Sequence, residues 1–186
     1  MPSRLPVKFA IMKTGLPVFF LLMMNTTFAQ LHPVAKESVV KFSIKNFGFR
    51  SGGTIGPPEG DIVFNPEDLT KSSFHVTIKS ESINTDNNSR DEHLRDEDYF
   101  DVKNYPLIRF VSTQIKPGGK TGSYEALGTL TIKKTSKEIT LPFTAEKNGS
   151  GWTFSGSFKM NRKDYGVGGS STLSAELTVE IKVVAQ

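Results

Sequence analysis

The chain has 186 residues, with 23 Lys+Arg against 19 Asp+Glu, 16 Gly, 10 Pro and no Cys, a length suited to one domain. The absence of cysteine excludes a disulfide scaffold, a thiolate metal site, a Cys nucleophile and a Cys-anchored lipoprotein. Three of the bases, Arg4, Lys8 and Lys13, fall in residues 1–29, which hold no acid. The remaining 20 bases face 19 acids, so there is no electrostatic case for nucleic acid or an anionic membrane.

Residues 1–29 have the layout of a cleavable secretory signal. A basic stretch ends at Lys13, an apolar run follows over residues 15–24, and small residues Thr27 and Ala29 stand at −3 and −1 of a cut between Ala29 and Gln30. The run is about ten residues, half of what a spanning helix needs, which makes an uncleaved membrane anchor the lesser alternative. Met12 serves as a start as well as Met1, because Lys13 and the apolar run are retained. Export to a periplasm or the cell exterior follows either way, and a thiol-free chain suits such a compartment. The mature domain is then residues 30–186.

Period-two alternation predicts eight strands. The first lies near 38–46, with Val40, Phe42 and Ile44 on one face. The second lies near 59–65 (Ile62, Phe64), and the third near 72–80 (Phe74, Val76, Ile78). Gly52-Gly53 and Gly56-Pro57-Pro58, between the first two, read as loop. Residues 84–106 break the pattern: Asn87 or Asn88 caps a short helix near 88–97, and Leu94 with Phe100 plugs one end of the fold.

The fourth strand is near 107–116 (Ile108, Phe110), the fifth near 123–133 (Leu130, Ile132) and the sixth near 138–146 (Leu141, Phe143), with Pro142 at an edge, bulge or distorted pairing. The seventh is near 151–160 (Trp152, Phe154, Phe158) and the eighth near 172–184 (Leu177, Val179, Ile181). Turn signals at Pro117-Gly118-Gly119, Lys134-Thr135-Ser136 and Asn148-Gly149 imply antiparallel meanders; Gly168-Gly169-Ser170-Ser171 marks another loop. The fold class is all-β. An eight-stranded antiparallel barrel removes both sheet edges, and a two-sheet sandwich is the alternative.

Two sets of residues invite functional readings. The inward residues Phe42, Ile44, Ile62, Phe64, Phe74, Val76, Ile78, Ile108, Phe110, Leu130, Ile132, Leu141, Phe143, Trp152, Phe154, Phe158, Leu177, Val179 and Ile181 either pack one another or line a cavity. The cluster Arg90, Asp91, Glu92, His93, Arg95, Asp96, Glu97 and Asp98 either forms a solvated, self-paired helix or serves a hydrolase-type reaction on a small amphiphile through His93. Only His32, His75 and His93 exist, and no HExxH, GxSxG or phosphate-cradling loop is present, which favours the solvated helix. Arg90, His93 and Arg95 are candidates for a polar head group at a cavity mouth, and Tyr165 for closing a barrel end. No metal or organic cofactor is called for.

Several ordered motifs resemble the YceI family. They are Ser82-Ile83-Asn84-Thr85, Arg90-Asp91-Glu92-His93-Leu94-Arg95, Asp98-Tyr99-Phe100-Asp101-Val102 and Tyr105-Pro106 with Phe110. Flanking pieces agree: Phe42–Phe49, Gly60–Pro66, Leu127–Ile132 and Asn161–Gly166. The resemblance covers roughly residues 34–184. It implies a lipocalin-like antiparallel barrel with a long apolar cavity holding an isoprenoid lipid, such as a polyprenyl chain or quinone tail, in the periplasm. It implies a carrier and not an enzyme; a non-ligand stress or structural protein is the remaining alternative. Nucleic acid is not expected, transient membrane contact is compatible, and the oligomeric state is open, a homodimer included. Residues 52–58 depart from the family by being Gly/Pro-rich where many members place aromatics.

Overall fold

A computed structural model describes residues 30–46, 49–169 and 173–186. The predicted signal over residues 1–29, with its cut site, lies outside the described residues, as do Ser170 and Ser171 of the predicted loop. The ordered elements are β1 (Val39–Asn46), β2 (Phe49–Ile55), β3 (Glu59–Val63), β4 (Ser73–Lys79), α1 (Asn88–Arg95), β5 (Leu107–Pro117), β6 (Ser123–Ile132), β7 (Thr135–Asn148), β8 (Gly151–Asn161) and β9 (Glu176–Ala185). Short 3-10 turns occupy Leu69–Lys71, Ser80–Ser82 and Arg162–Tyr165.

All nine strands join one antiparallel sheet in the order β2-β1-β9-β8-β7-β6-β5-β4-β3. Its edges, β2 and β3, are separated by residues 56–58 alone. Four extended residue steps span at most about 14 Å. The two edges must therefore approach each other, and the sheet must curl on itself. One continuous curled sheet is a lipocalin-like barrel and disposes of the sandwich alternative.

Backbone bonds cover both edges. Thr54 of β2 and Asn84 exchange two N–H···O bonds of 2.8 and 2.9 Å. Leu31 and Ile62 of β3 do the same at 2.8 and 2.9 Å, and the segment after Leu31 runs on to β9, where the Val34 N–H donates to the Val184 carbonyl at 2.7 Å. These contacts satisfy groups that would otherwise template aggregation.

Among the described residues the strand count is nine, not eight, and the additional strand is β2. Gly52 and Gly53, which read as loop, lie inside it. A Cβ on Gly52 would fall 2.3 Å from the Phe42 carbonyl oxygen, and one on Gly53 would fall 2.2 Å from that of Asn84. The glycines permit close backbone approach to β1 and to the segment before α1. Two boundaries also differ. The β6–β7 turn is Lys133-Lys134, with Lys133 at φ 53°, so β7 begins at Thr135. β9 begins at Glu176, later than the predicted start near 172.

The charged segment is helical as expected, though it stops at Arg95. The Asn87 side chain caps its start, accepting from the Arg90 N–H at 3.0 Å. Inside the sheet, one buried cluster gathers residues of β3 to β9, and a smaller one (Val40, Ile55, Ile83) lies where β1, β2 and the segment before α1 meet. Leu94 and Phe100 pack against the smaller cluster.

Candidate functional site

The alternation that builds the strands points one apolar row per strand inward. Between those rows lies a cavity of about 260 Å³, bordered by side chains of every strand except β3. Thirteen of the nineteen predicted inward residues border it: Phe42, Ile44, Val76, Ile78, Ile108, Phe110, Leu130, Ile132, Leu141, Phe158, Leu177, Val179 and Ile181. Val40, Ile139, Met160 and Val183 continue the same faces.

The other six, Ile62, Phe64, Phe74, Phe143, Trp152 and Phe154, do not border the cavity. They are buried or half-buried at the far end of the barrel. There Phe64 meets Tyr124, Trp152 and Phe154 edge-on at ring-centroid distances of 5.1, 5.1 and 5.3 Å. Phe74 and Phe143 approach each other at 5.3 Å. Rings are wide enough to bridge the lumen, so this end is stoppered by protein, whereas the aliphatic-rich zone stays hollow. Period-two alternation assigns a face but not a height along the barrel, so it could not separate the two groups.

The opposite end is covered by α1 and the chain after it. Leu94, Tyr99 and Phe100 border the cavity there. Three side chains tie α1 down. Asp91, 5% exposed, accepts from the Thr85 N–H at 2.9 Å and the Thr85 hydroxyl at 2.6 Å. Arg95 donates to the carbonyls of Glu81 and Ile83 at 2.9 and 3.0 Å. Arg90 donates to the Ser51 hydroxyl at 2.8 Å. Arg90, Ser51 and Thr85 all border the cavity, forming a small polar rim on an apolar chamber.

Among the four predicted rim residues only Arg90 borders the cavity. His93 is exposed, 3.8 Å from Asp96 and edge-on to Tyr99 at 4.8 Å. Arg95 is committed to backbone. Tyr165, 3% exposed, sits in the larger buried cluster, and burial, assisted by the charge of Asp164, raises its phenol above the ordinary value. Of the 90–98 cluster, Arg90, Asp91 and Arg95 thus anchor the helix while His93 and Asp96 stay exposed, and among the described residues no three His, Asp or Glu side chains gather to hold a metal.

Sequence reasoning missed Arg162. Its guanidinium borders the cavity while donating to the carbonyls of Val167, Leu173 and Ser174 at 2.6, 2.8 and 3.0 Å. At 5% exposure it is a rare buried arginine. No periodicity signals that; only the basic-polar run Asn161–Asp164 before a glycine hinted at a special turn.

A curled antiparallel sheet, stoppered at one end and enclosing an apolar chamber, defines a lipocalin-like barrel. The chain belongs to the YceI family, whose YceI-like domain matches residues 31–185. A UPF0312 protein of Photorhabdus laumondii is 30% identical over 163 residues, covering 81% of this chain and 83% of that one. The crystal structure of Burkholderia cenocepacia BcnA superposes with a TM-score of 0.78 at 27% identity, over 83% of this chain and 99% of that one. A polyisoprenoid binding domain from Saccharophagus degradans, implicated in plant cell wall breakdown, shares the fold with a TM-score of 0.69 at 12% identity, over 86% of this chain and 99% of that domain.

Proposed function

We propose that this protein is an exported carrier that holds a long isoprenoid lipid, a polyprenyl chain or quinone tail, in the barrel chamber and catalyses no reaction. The observation that carries the reading is the chamber itself: a cavity of about 260 Å³ walled mainly by apolar side chains of eight strands. Family membership and the polyisoprenoid binding domain of the same fold support the choice of ligand class. The secretory pattern of residues 1–29 supports export.

The energetics favour a long chain. Each buried CH₂ is worth about 0.8 kcal/mol, so one five-carbon unit contributes about 4 kcal/mol in gross transfer energy. Association itself costs about 4–15 kcal/mol. One unit cannot pay that; several in contact with the wall can. The polar rim of Arg90, Ser51 and Thr85 would meet the ligand's polar end, since a guanidinium suits phosphate or carbonyl oxygen.

The test is the mass of what co-purifies. Organic extraction of the purified protein and mass spectrometry should yield one long-chain isoprenoid in near-stoichiometric amount. A protein with no lipid, and with a hydrolytic turnover abolished by His93→Ala, would replace the carrier reading with the enzymatic one.

A further inference from the structure

The β7–β8 ladder runs from the hairpin pair Asn148–Gly151 only as far as Phe143–Gly156. Beyond it, residues 135–142 of β7 have ladder partners on β6 alone, and residues 157–161 of β8 on β9 alone. The same register carried further would set Leu141 against Phe158 and Ile139 against Met160. All four border the chamber, and Ile139, Phe158 and Met160 are only half-buried. An unzipped seam edged with apolar side chains therefore runs along the chamber wall.

The fork is built into the sequence. Pro142 has no N–H with which to extend the ladder. Its carbonyl oxygen lies against Gly156, where a Cβ would fall 2.4 Å from it. A surface depression of about 280 Å³ over the β5–β6 turn, β6 and the last rungs of the β7–β8 ladder reaches this point, with Pro142, Gly156 and Ser157 on its border. Past the seam's other end, Lys137 and Asp164 form an exposed ion pair at 3.2 Å.

The ends of the barrel are poorer routes. One holds the aromatic stopper. Opening the other means breaking the five hydrogen bonds that anchor Arg90, Asp91 and Arg95 of α1. Among the described residues the one polar side-chain contact across the seam is that exposed ion pair, the weakest class of such contacts, and the rest is apolar packing. We infer that the β7–β8 seam is a side portal through which the apolar chain of the ligand enters and leaves the chamber. This rests on the carrier reading.

The test staples the seam. Thr140 and Lys159, both exposed, are the residues that the extended register would oppose, and the chain has no cysteine to interfere. The double variant Thr140→Cys/Lys159→Cys is compared oxidised and reduced, with Thr144→Cys/Ser155→Cys on the intact ladder as control. The probe is a dansyl-labelled farnesyl chain in phosphatidylcholine vesicles, and the readout is its rate of transfer to the protein. The oxidised seam variant should load on the order of tenfold more slowly than its reduced form, with the control unchanged. Equal rates in both forms overturn the portal. Should the disulfide not form, Met160→Trp narrows the seam instead, and wild-type loading by that folded variant overturns the portal equally. A reduced protein that takes up no chain at all overturns the carrier reading, and the portal with it.

Discussion

Replacing Phe64 by alanine tests the division of the barrel into a stopper and a chamber. Phe64 is 6% exposed and is the hub of the far-end cluster, with five aromatic rings at 5.1 to 6.5 Å. Truncating a buried Phe costs about 3–5 kcal/mol, more where neighbours cannot collapse into the void. Here the neighbours are rigid rings held by four different strands, and their edge-to-face contacts are lost as well. The expected loss is therefore about 4–5 kcal/mol, the upper part of that range. A domain has only about 5–15 kcal/mol in total. At about 2–4 °C per kcal/mol for a chain of this size, the melting midpoint should fall by about 8–20 °C. Urea titration followed by Trp152 fluorescence reads the change directly, because this is the sole Trp and its ring is 5.1 Å from Phe64. The midpoint should move with little change in slope. A loss below about 1 kcal/mol would show that the end is loosely filled, and the stopper would cease to explain why the cavity ends where it does.

Asp91→Ala should lower stability by about 3 kcal/mol, because two hydrogen bonds to a buried carboxylate disappear. Hydrogen exchange should quicken in α1 before it does in the central strands, and unchanged α1 protection would refute the anchoring role. Gly53→Ala should cost about 1–3 kcal/mol by driving a Cβ into the Asn84 carbonyl. Gly119→Ala, in open space, should stay within about 0.5 kcal/mol in the same thermal assay. Tyr165 gives a pH prediction. Its phenol titrates higher when folded, so the folded state keeps a proton that the unfolded state gives up above about pH 10. Wild-type stability should consequently fall as pH climbs through that range, and Tyr165→Phe should flatten part of the slope. Parallel profiles for the two proteins would refute that.

The residues differ in how plainly they announced their places. β9 was the clearest, since Leu177, Val179, Ile181 and Val183 alternate with Thr178, Glu180 and Lys182. α1 was legible from Asn87, the acids of its first turn and the loss of period two. β2 was illegible because Gly52 and Gly53 carry the composition of a turn. Their role is to let one backbone approach another, which depends on Phe42 and Asn84 and not on their neighbours in sequence. The split of the inward aromatics from the chamber residues was likewise hidden: Phe74 and Val76 occupy the same face of one strand, yet Phe74 faces the stopper and Val76 the cavity.

By itself the amino-acid sequence determined the class of fold, the antiparallel meander, the helix and the family, because these rest on local periodicity, turn chemistry and ordered motifs. Only the tertiary structure decided that β2 is a ninth strand, that six inward residues fill one end, that Arg162 is buried and that β7 and β8 part at Pro142 and Gly156. Each of these is set by distances between segments far apart in the chain. Whether a lumen is hollow depends on how side chains from different strands meet across it, and no single strand's pattern carries that information.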